Sequence, residues 1–293
     1  MDQRIIDLYD RFTHGQLDRR SFMDRLATLA GSAAAAGALL PLLANDYASA
    51  AIAPEDDPRL EVARVSYPSG NGEVSGYLAR ARRVDSKRPA VLVIHENRGL
   101  NPHIKDITRR VALGGYLAFG VDLLSAQGGT PDDEDKARDM IAALDRPATV
   151  ARAVDAVAFL AAHPASTGEV GALGFCWGGA MVNLLAEASP ELKAGVAYYG
   201  MPPPLDQVGD IKAALLLHYA GLDNRINAAV PAYEKALKAA GKDFTIYVYP
   251  GVNHAFNNDT SPTRFDPKAA ELAWGRTMDF LAEELGVPPP VET

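Results

Sequence analysis

The stretch Val170-Gly171-Ala172-Leu173-Gly174-Phe175-Cys176-Trp177-Gly178-Gly179, followed by the helix-forming run Ala180 to Ala188, decides how the chain reads. Small and apolar residues form a short strand, Gly174 and Gly178 flank the cysteine at equal spacing, and helical periodicity resumes directly afterwards. Strand, sharp turn and helix in that order is the nucleophile-elbow pattern, with cysteine in the position of serine. The glycines have a steric reason, because in so tight a turn side chains two positions either side of the reactive residue would meet neighbouring backbone. The turn also aims the Trp177 N–H and the positive end of the following helix at a developing oxyanion, and it lowers the thiol pKa. Taken alone, the motif also fits a buried core cysteine beside a glycine turn.

Working outward, the same alternation recurs. Upstream, Val62 to Tyr67 and Val74 to Ala79 alternate around the turn Pro68-Ser69-Gly70-Asn71-Gly72 and read as a β-hairpin. Pro89 to His95 is a continuous apolar run of strand length, as expected for a central strand covered on both faces. A helix from Ile104 to Leu113, stopped by Gly114-Gly115, leads to a strand at Tyr116 to Val121, and helices follow at Asp132 to Leu144 and Ala148 to Ala162. Downstream lie strands at Ala194 to Tyr199, Ala213 to His218 and Phe244 to Tyr249, with helices at Ala228 to Ala239 and Pro267 to Leu285. This predicts an α/β fold with a mostly parallel central sheet and helices on both faces. Reactive groups then belong in loops at the carboxyl ends of strands.

Of the 293 residues, 48% are hydrophobic and 23% charged, which excludes disordered and fibrous classes and is enough for one large core. The net charge of −8 offers no basic footprint, so the sequence predicts a small-molecule substrate and no nucleic-acid partner. The single cysteine cannot form an intramolecular disulfide, so packing or chemistry must account for it. We divide the chain into an N-terminal extension, 1–53, and one catalytic domain, 54–293. In the extension, Arg19-Arg20, the Ala-rich run from Leu26 to Ala44 and the small-x-small site Ala48-Ser49-Ala50 resemble a twin-arginine export signal, implying export to the periplasm. The alternative is an amphipathic helix and an Ala-rich helix docked on the domain of a cytoplasmic protein. Gly31, Gly37 and Pro41 argue against a stable membrane span.

An elbow nucleophile needs a base and a residue to orient it, and both stand later in the chain in the expected order, acid first. Asp223 follows the strand ending near Tyr219, and His254 follows the strand ending at Tyr249. Singly, Asp223 reads as a helix N-cap and His254 as a satisfied loop histidine; together with Cys176 they read as a set. His95-Glu96-Asn97-Arg98-Gly99 places Glu96 at another strand end. With the Glu96 loop, the Cys176 elbow, the Asp223 loop and the Asn253-His254-Ala255-Phe256 loop, the sequence resembles the dienelactone hydrolase (carboxymethylenebutenolidase) family of the α/β-hydrolase superfamily over about residues 60 to 285. The resemblance implies cleavage of an ester or lactone without a cofactor. Cys176 would be the nucleophile, His254 the base, Asp223 its orienting acid, and Glu96 the partner of the resting thiol. The Trp177 and Asn97 N–H groups would form the oxyanion hole. A broad carboxylesterase or thioesterase of the same fold is the alternative within enzymes, and a non-catalytic binding module the alternative outside them.

The resemblance has departures. Glu134 and Asn258 align with two arginines that grip the carboxylate in dienelactone-cleaving relatives, so neutral esters or lactones are expected to outcompete dienelactone. Arg98 reads as a replacement anion contact or as a solvent-facing loop residue. Tyr198 and Tyr199 line an acyl pocket or simply pack. His95, Glu96 and His103 lack the i, i+4 histidine spacing of a zincin helix, so no metal is expected there.

Overall fold

Every residue of the run Arg88–Ile94 is buried, and the sheet is built around it. The computed structural model describes residues 1–47, 51–70, 72–82, 86–288 and 290–291. The strands are β1 Leu60–Ser69, β2 Gly72–Ala81, β3 Arg88–Ile94, β4 Leu117–Val121, β5 Ser166–Phe175, β6 Ala194–Tyr198, β7 Ala214–Ala220 and β8 Phe244–Tyr249. The helices are α1 Gln3–Thr13, α2 Arg19–Ala30, α3 Ala33–Leu43, α4 Pro102–Leu113, α5 Glu134–Ala142, α6 Arg146–Ala162, α7 Trp177–Ala188, α8 Asn224–Asn227, α9 Val230–Ala239 and α10 Pro267–Leu285.

The strands form one 8-stranded sheet in the order β1-β2-β4-β3-β5-β6-β7-β8. β1 and β2 pair antiparallel, as do β2 and β4, and all pairs from β4 onward are parallel. This is the expected α/β fold. Alternation along each strand feeds two cores. Leu92 and Ile94 point to the face covered by α6, α7 and α9, whereas Val91 and Val93 point to the face covered by α4 and α10. Side-chain N-caps start the covering helices: Asn101 for α4, Asp145 for α6 and Asp266 for α10.

Two expected elements differ in detail. The helix read from Ala228 to Ala239 is α9, which starts at Val230 with Pro231 in its first turn, and the short α8 precedes it at Asn224–Asn227, because proline fits the first turn of a helix and cannot continue an incoming one. The hairpin strands run to Ser69 and from Gly72, and Asn71 in the expected turn lies outside the described residues.

In the extension, α1, α2 and α3 share a small core of Ile5, Leu8, Tyr9, Phe12, Phe22, Leu26, Ala36 and Leu43. α2 and α3 bend by 109° across Gly31 and Ser32, and among the described residues no single helix is long and apolar enough to cross a membrane. Ala48-Ser49-Ala50 lies outside the described residues. α1 lies on the domain that carries the sheet: Asn97 Nδ2 donates to the Thr13 carbonyl at 2.6 Å, and the Arg138 and Arg264 guanidinium groups sit over the rings of Phe12 and Tyr9.

Candidate active site

The strand order reverses at β3: the chain leaves β3 through α4 to β4 on one side, and β5 flanks β3 on the other. A crevice opens outside the carboxyl ends of strands at such a switch point. The Glu96 loop leaves β3 there, and Cys176 leaves β5 beside it. Cys176 takes φ 56° and ψ −114° as the N-cap of α7. That backbone, unusual for a residue with a Cβ, carries a strain of about 1–3 kcal/mol. The flanking glycines permit it, since a Cβ on Gly174 would run into the Gly178 carbonyl and one on Gly178 into the Ile94 and His95 carbonyls.

Asp223 follows β7 as the N-cap of α8, and His254 follows β8. A backbone bond from Leu222 N to Val252 O, 3.0 Å, ties the two loops together. His254 Nδ1 lies 2.5 Å from Asp223 Oδ2 with both groups buried; a carboxylate only accepts, so Nδ1 carries the proton and Nε2 is left for the thiol. Burial raises the Asp223 carboxyl pKa, but the His254 hydrogen bond and charge outweigh it and hold the group down at about 2. For Cys176 and His254 burial also opposes ionisation. The neighbouring His14 and His254 nonetheless bring the Cys176 thiol down, and Cys176, Asp10 and Asp223 raise His254, which favours a thiolate–imidazolium pair.

A second histidine, absent from the sequence reading, comes from the extension. His14 Nε2 lies 3.2 Å from Cys176 Sγ, and its ring meets that of His254 edge to face with centroids 4.6 Å apart. His14 Nδ1 donates to the Asp10 carbonyl at 2.7 Å, and the Asp10 carboxylate stands 3.3 Å away. No local motif marks His14, since 162 positions separate it from the cysteine it touches.

The remaining predicted residues are distributed as follows. Glu96 is buried beside the elbow, but its carboxylate accepts from Asn258 Nδ2 at 2.8 Å, and the partner hydrogen-bonded to the thiol is His14. Asn258, expected from the resemblance to stand at a substrate-gripping position, serves Glu96. Arg98 does not face solvent and does not line the pocket at Cys176: it is buried in an ion pair with Glu134, which also accepts from Tyr47. Glu134 is thus turned toward the extension and adds no negative charge to the pocket. Tyr198 packs fully buried with its hydroxyl 2.7 Å from Thr277 Oγ1, whereas Tyr199, at φ 40°, lines the pocket. His95 stacks on Trp177 and donates from Nδ1 to the Glu96 carbonyl, and His103 pairs with Asp259, so the two histidines lie in different networks.

The pocket at Cys176 has a volume of about 300 Å³ and an apolar side formed by Trp177, Ile141, Ala142, Met201 and Ile226. Arg225 also lines it, with Nε and Nη2 buried and without a hydrogen-bond partner among the described residues. By contrast, the nearby Arg138 is held by Asp135 and Asp139. Two buried guanidinium donors without a partner are suited to hold an anion. Periodicity cannot reveal it, because Arg225 reads as an ordinary helix residue.

Sheet order, crevice and elbow define a hydrolase of the α/β-hydrolase class. The chain belongs to the dienelactone hydrolase family, whose description matches residues 74–285. A second description, YqhI-like, matches residues 1–32 of the extension. Several curated relatives carry the name "Putative carboxymethylenebutenolidase". The one from Escherichia coli O157:H7 is 34% identical over 256 residues, covering 82% of this chain and 93% of its own. Another, from Methylorubrum extorquens, is 32% identical over 234 residues, covering 75% and 80%. Among solved structures, a dienelactone hydrolase-like promiscuous phosphotriesterase from metagenomic libraries superposes with a TM-score of 0.71 at 25% identity, covering 78% of this chain and 100% of its own. The dienelactone hydrolase of Anabaena variabilis, at 21% identity and a TM-score of 0.62 over 78% of this chain and 99% of its own, shares the fold.

Proposed function

We propose that the protein hydrolyses a carboxylic ester or lactone through an acyl-cysteine on Cys176. The observation that carries this reading is the strained Cys176 turn beside a histidine whose far nitrogen is held by Asp223 at 2.5 Å. The thiolate attacks the carbonyl carbon, and the oxyanion accepts hydrogen bonds from the Trp177 and Asn97 N–H groups; Trp177 opens α7, so its N–H has no partner within the helix. The C–O bond breaks as the alkoxide takes the proton from the His254 imidazolium. Water then attacks the thioester, His254 accepts its proton, and the acid leaves as Cys176 is released. Asp223 keeps the imidazole in the productive tautomer. We assign to Glu96, held on Asn258, the assistance of thiol ionisation once substrate has entered.

The apolar side of the pocket takes the hydrocarbon part of the substrate, and Arg225 takes an anionic group if one is present. A screen of p-nitrophenyl esters, thioesters and lactones, with intact-mass detection of the acyl-enzyme, tests the proposal. Turnover that disappears in Cys176→Ala supports it. Turnover that survives in that variant overturns it, and inactivity of the wild type on every substrate favours the binding-module alternative.

A further inference from the structure

Two imidazoles and one thiol meet at the mouth of the pocket, and hydrolysis as proposed uses only one of the imidazoles. We propose that His14, Cys176 and His254 form a binding site for a thiophilic divalent cation, with Zn²⁺ the best match. The N-terminal helix supplies one ligand, and the nucleophile and its base supply the other two.

The first argument is proximity: the ligand atoms of the three side chains all lie within 4.8 Å of one another. Tetrahedral zinc with bond lengths of about 2.0–2.3 Å sets its ligand atoms about 3.3–3.6 Å apart, so the widest pair needs to close by roughly an ångström. His14 Nε2 and Cys176 Sγ, at 3.2 Å, are already that close.

The second argument is the outer shell. A ligating histidine normally donates its other ring N–H to a carboxylate or carbonyl, which fixes the ring and leaves a lone pair for the metal. Both rings are held in this way: His254 Nδ1 by Asp223 at 2.5 Å, and His14 Nδ1 by the Asp10 carbonyl at 2.7 Å. His254 Nε2 is buried and without a hydrogen-bond partner among the described residues. The Asp10 and Asp223 carboxylates bring negative charge next to the cation. One thiolate with two neutral imidazoles is a soft to borderline donor set that selects zinc or cobalt over magnesium or calcium. The pocket leaves room for water as a fourth ligand.

Binding conserves charge simply. The cation takes the thiolate and the Nε2 lone pairs of both imidazoles, and every proton that the thiol and these two nitrogens carried passes to solvent. The metal-bound state has neither a free nucleophile nor a free base, and it fastens α1 across the pocket. Hydrolysis is then switched off by the cation and restored by a chelator. This functional consequence rests on the hydrolytic reading above; the binding itself does not.

The full chain, treated with chelator and desalted, is titrated with Co²⁺ alone and the bound Co²⁺ then displaced with Zn²⁺. The wild type should show a thiolate-to-cobalt charge-transfer band that saturates at equimolar metal and disappears in Cys176→Ser. His14→Ala and His14→Gln should weaken Co²⁺ binding by about a hundredfold or more, since loss of an outer-shell partner alone costs ten- to a hundredfold. Unchanged thermal melting of metal-free His14→Gln shows that the loss is not unfolding. No charge-transfer band in the wild type, or His14 variants that bind like the wild type, would overturn the site. Esterase activity measured in chelator reads the hydrolytic proposal separately, so either idea can fail while the other stands.

Discussion

The side-chain amide of Asn258 donates to the Glu96 carboxylate at 2.8 Å, which anchors the acid to a partner other than the thiol beside it. Asn258 is itself fixed, its Oδ1 accepting from both the backbone N–H and the hydroxyl of Thr260. Glu96 is therefore preset in position, and its charge rather than its shape is what the reaction would use. Glu96→Gln keeps an oxygen for Asn258 and removes the charge, so kcat should fall about a hundredfold, the lower range for loss of a proton-transfer partner, while the melting temperature moves little. A variant with near wild-type kcat would leave Glu96 a purely structural role.

The paired ionisations of Cys176 and His254 predict the pH dependence of kcat/KM, measured with a chelator present. Burial raises the thiol, but His14 and His254 bring it down to about 6, so the acidic limb should rise as the pH climbs through about 6. Burial lowers His254, but Cys176, Asp10 and Asp223 lift it to about 10, so activity should decline as that proton is lost. The two limbs belong to the pair as a whole. An acidic limb near the ordinary thiol value would show that no such ion pair forms.

Arg225 replaces Arg98 as the residue to test for substrate charge. Arg225→Met should lower kcat/KM for a carboxylate-bearing lactone by about ten- to a hundredfold, the loss of one charge-assisted contact of about 1.5–3 kcal/mol, and leave a neutral ester nearly unaffected. Equal losses on both substrates would mean that Arg225 supports the Asp223 loop instead. If the wild type already prefers neutral esters, the sequence-based expectation stands and Arg225 has another ligand.

Gly178→Ala tests the elbow. The added Cβ would press on the Ile94 and His95 carbonyls, backbone atoms of a central strand and its end that cannot rotate away. A loss of about 1–3 kcal/mol in chemical denaturation is expected, together with a larger fall in kcat because the Cys176 turn must shift. A variant as stable and active as the wild type would show that the turn is less tightly packed than it looks.

Most of the sheet was legible because strands covered on both faces leave continuous apolar runs, as at Arg88–Ile94, and because helices announce themselves through caps such as Asn101 and Asp266. Cys176, Asp223, His254 and Glu96 can be singled out in the sequence because each follows a strand, and in a parallel sheet the loops past strand ends meet at one crevice. Side-chain direction was not legible. Arg98 looks the same in sequence whether it meets a substrate or Glu134, and Tyr198 and Tyr199 look alike there although one packs on Thr277 and the other, at φ 40°, lines the pocket. His14 was out of reach for another reason: an extension with its own small core reads as a separate unit, and nothing in its periodicity says what it lies against.

The first turn of α1 also touches the histidine loop, where Gln3 Nε2 donates to Asn253 Oδ1. The opposite terminus behaves differently. The Pro290 carbonyl accepts from Arg88 at the amino end of β3, the far edge of the sheet from the crevice. An affinity tag or fusion partner placed ahead of Met1 would therefore emerge beside the histidine loop and interfere with substrate entry, whereas the chain at Pro290 lies at the other end of the molecule. Two preparations differing only in the end that carries the tag are expected to differ in apparent KM, and that difference would come from the cloning and not from the enzyme.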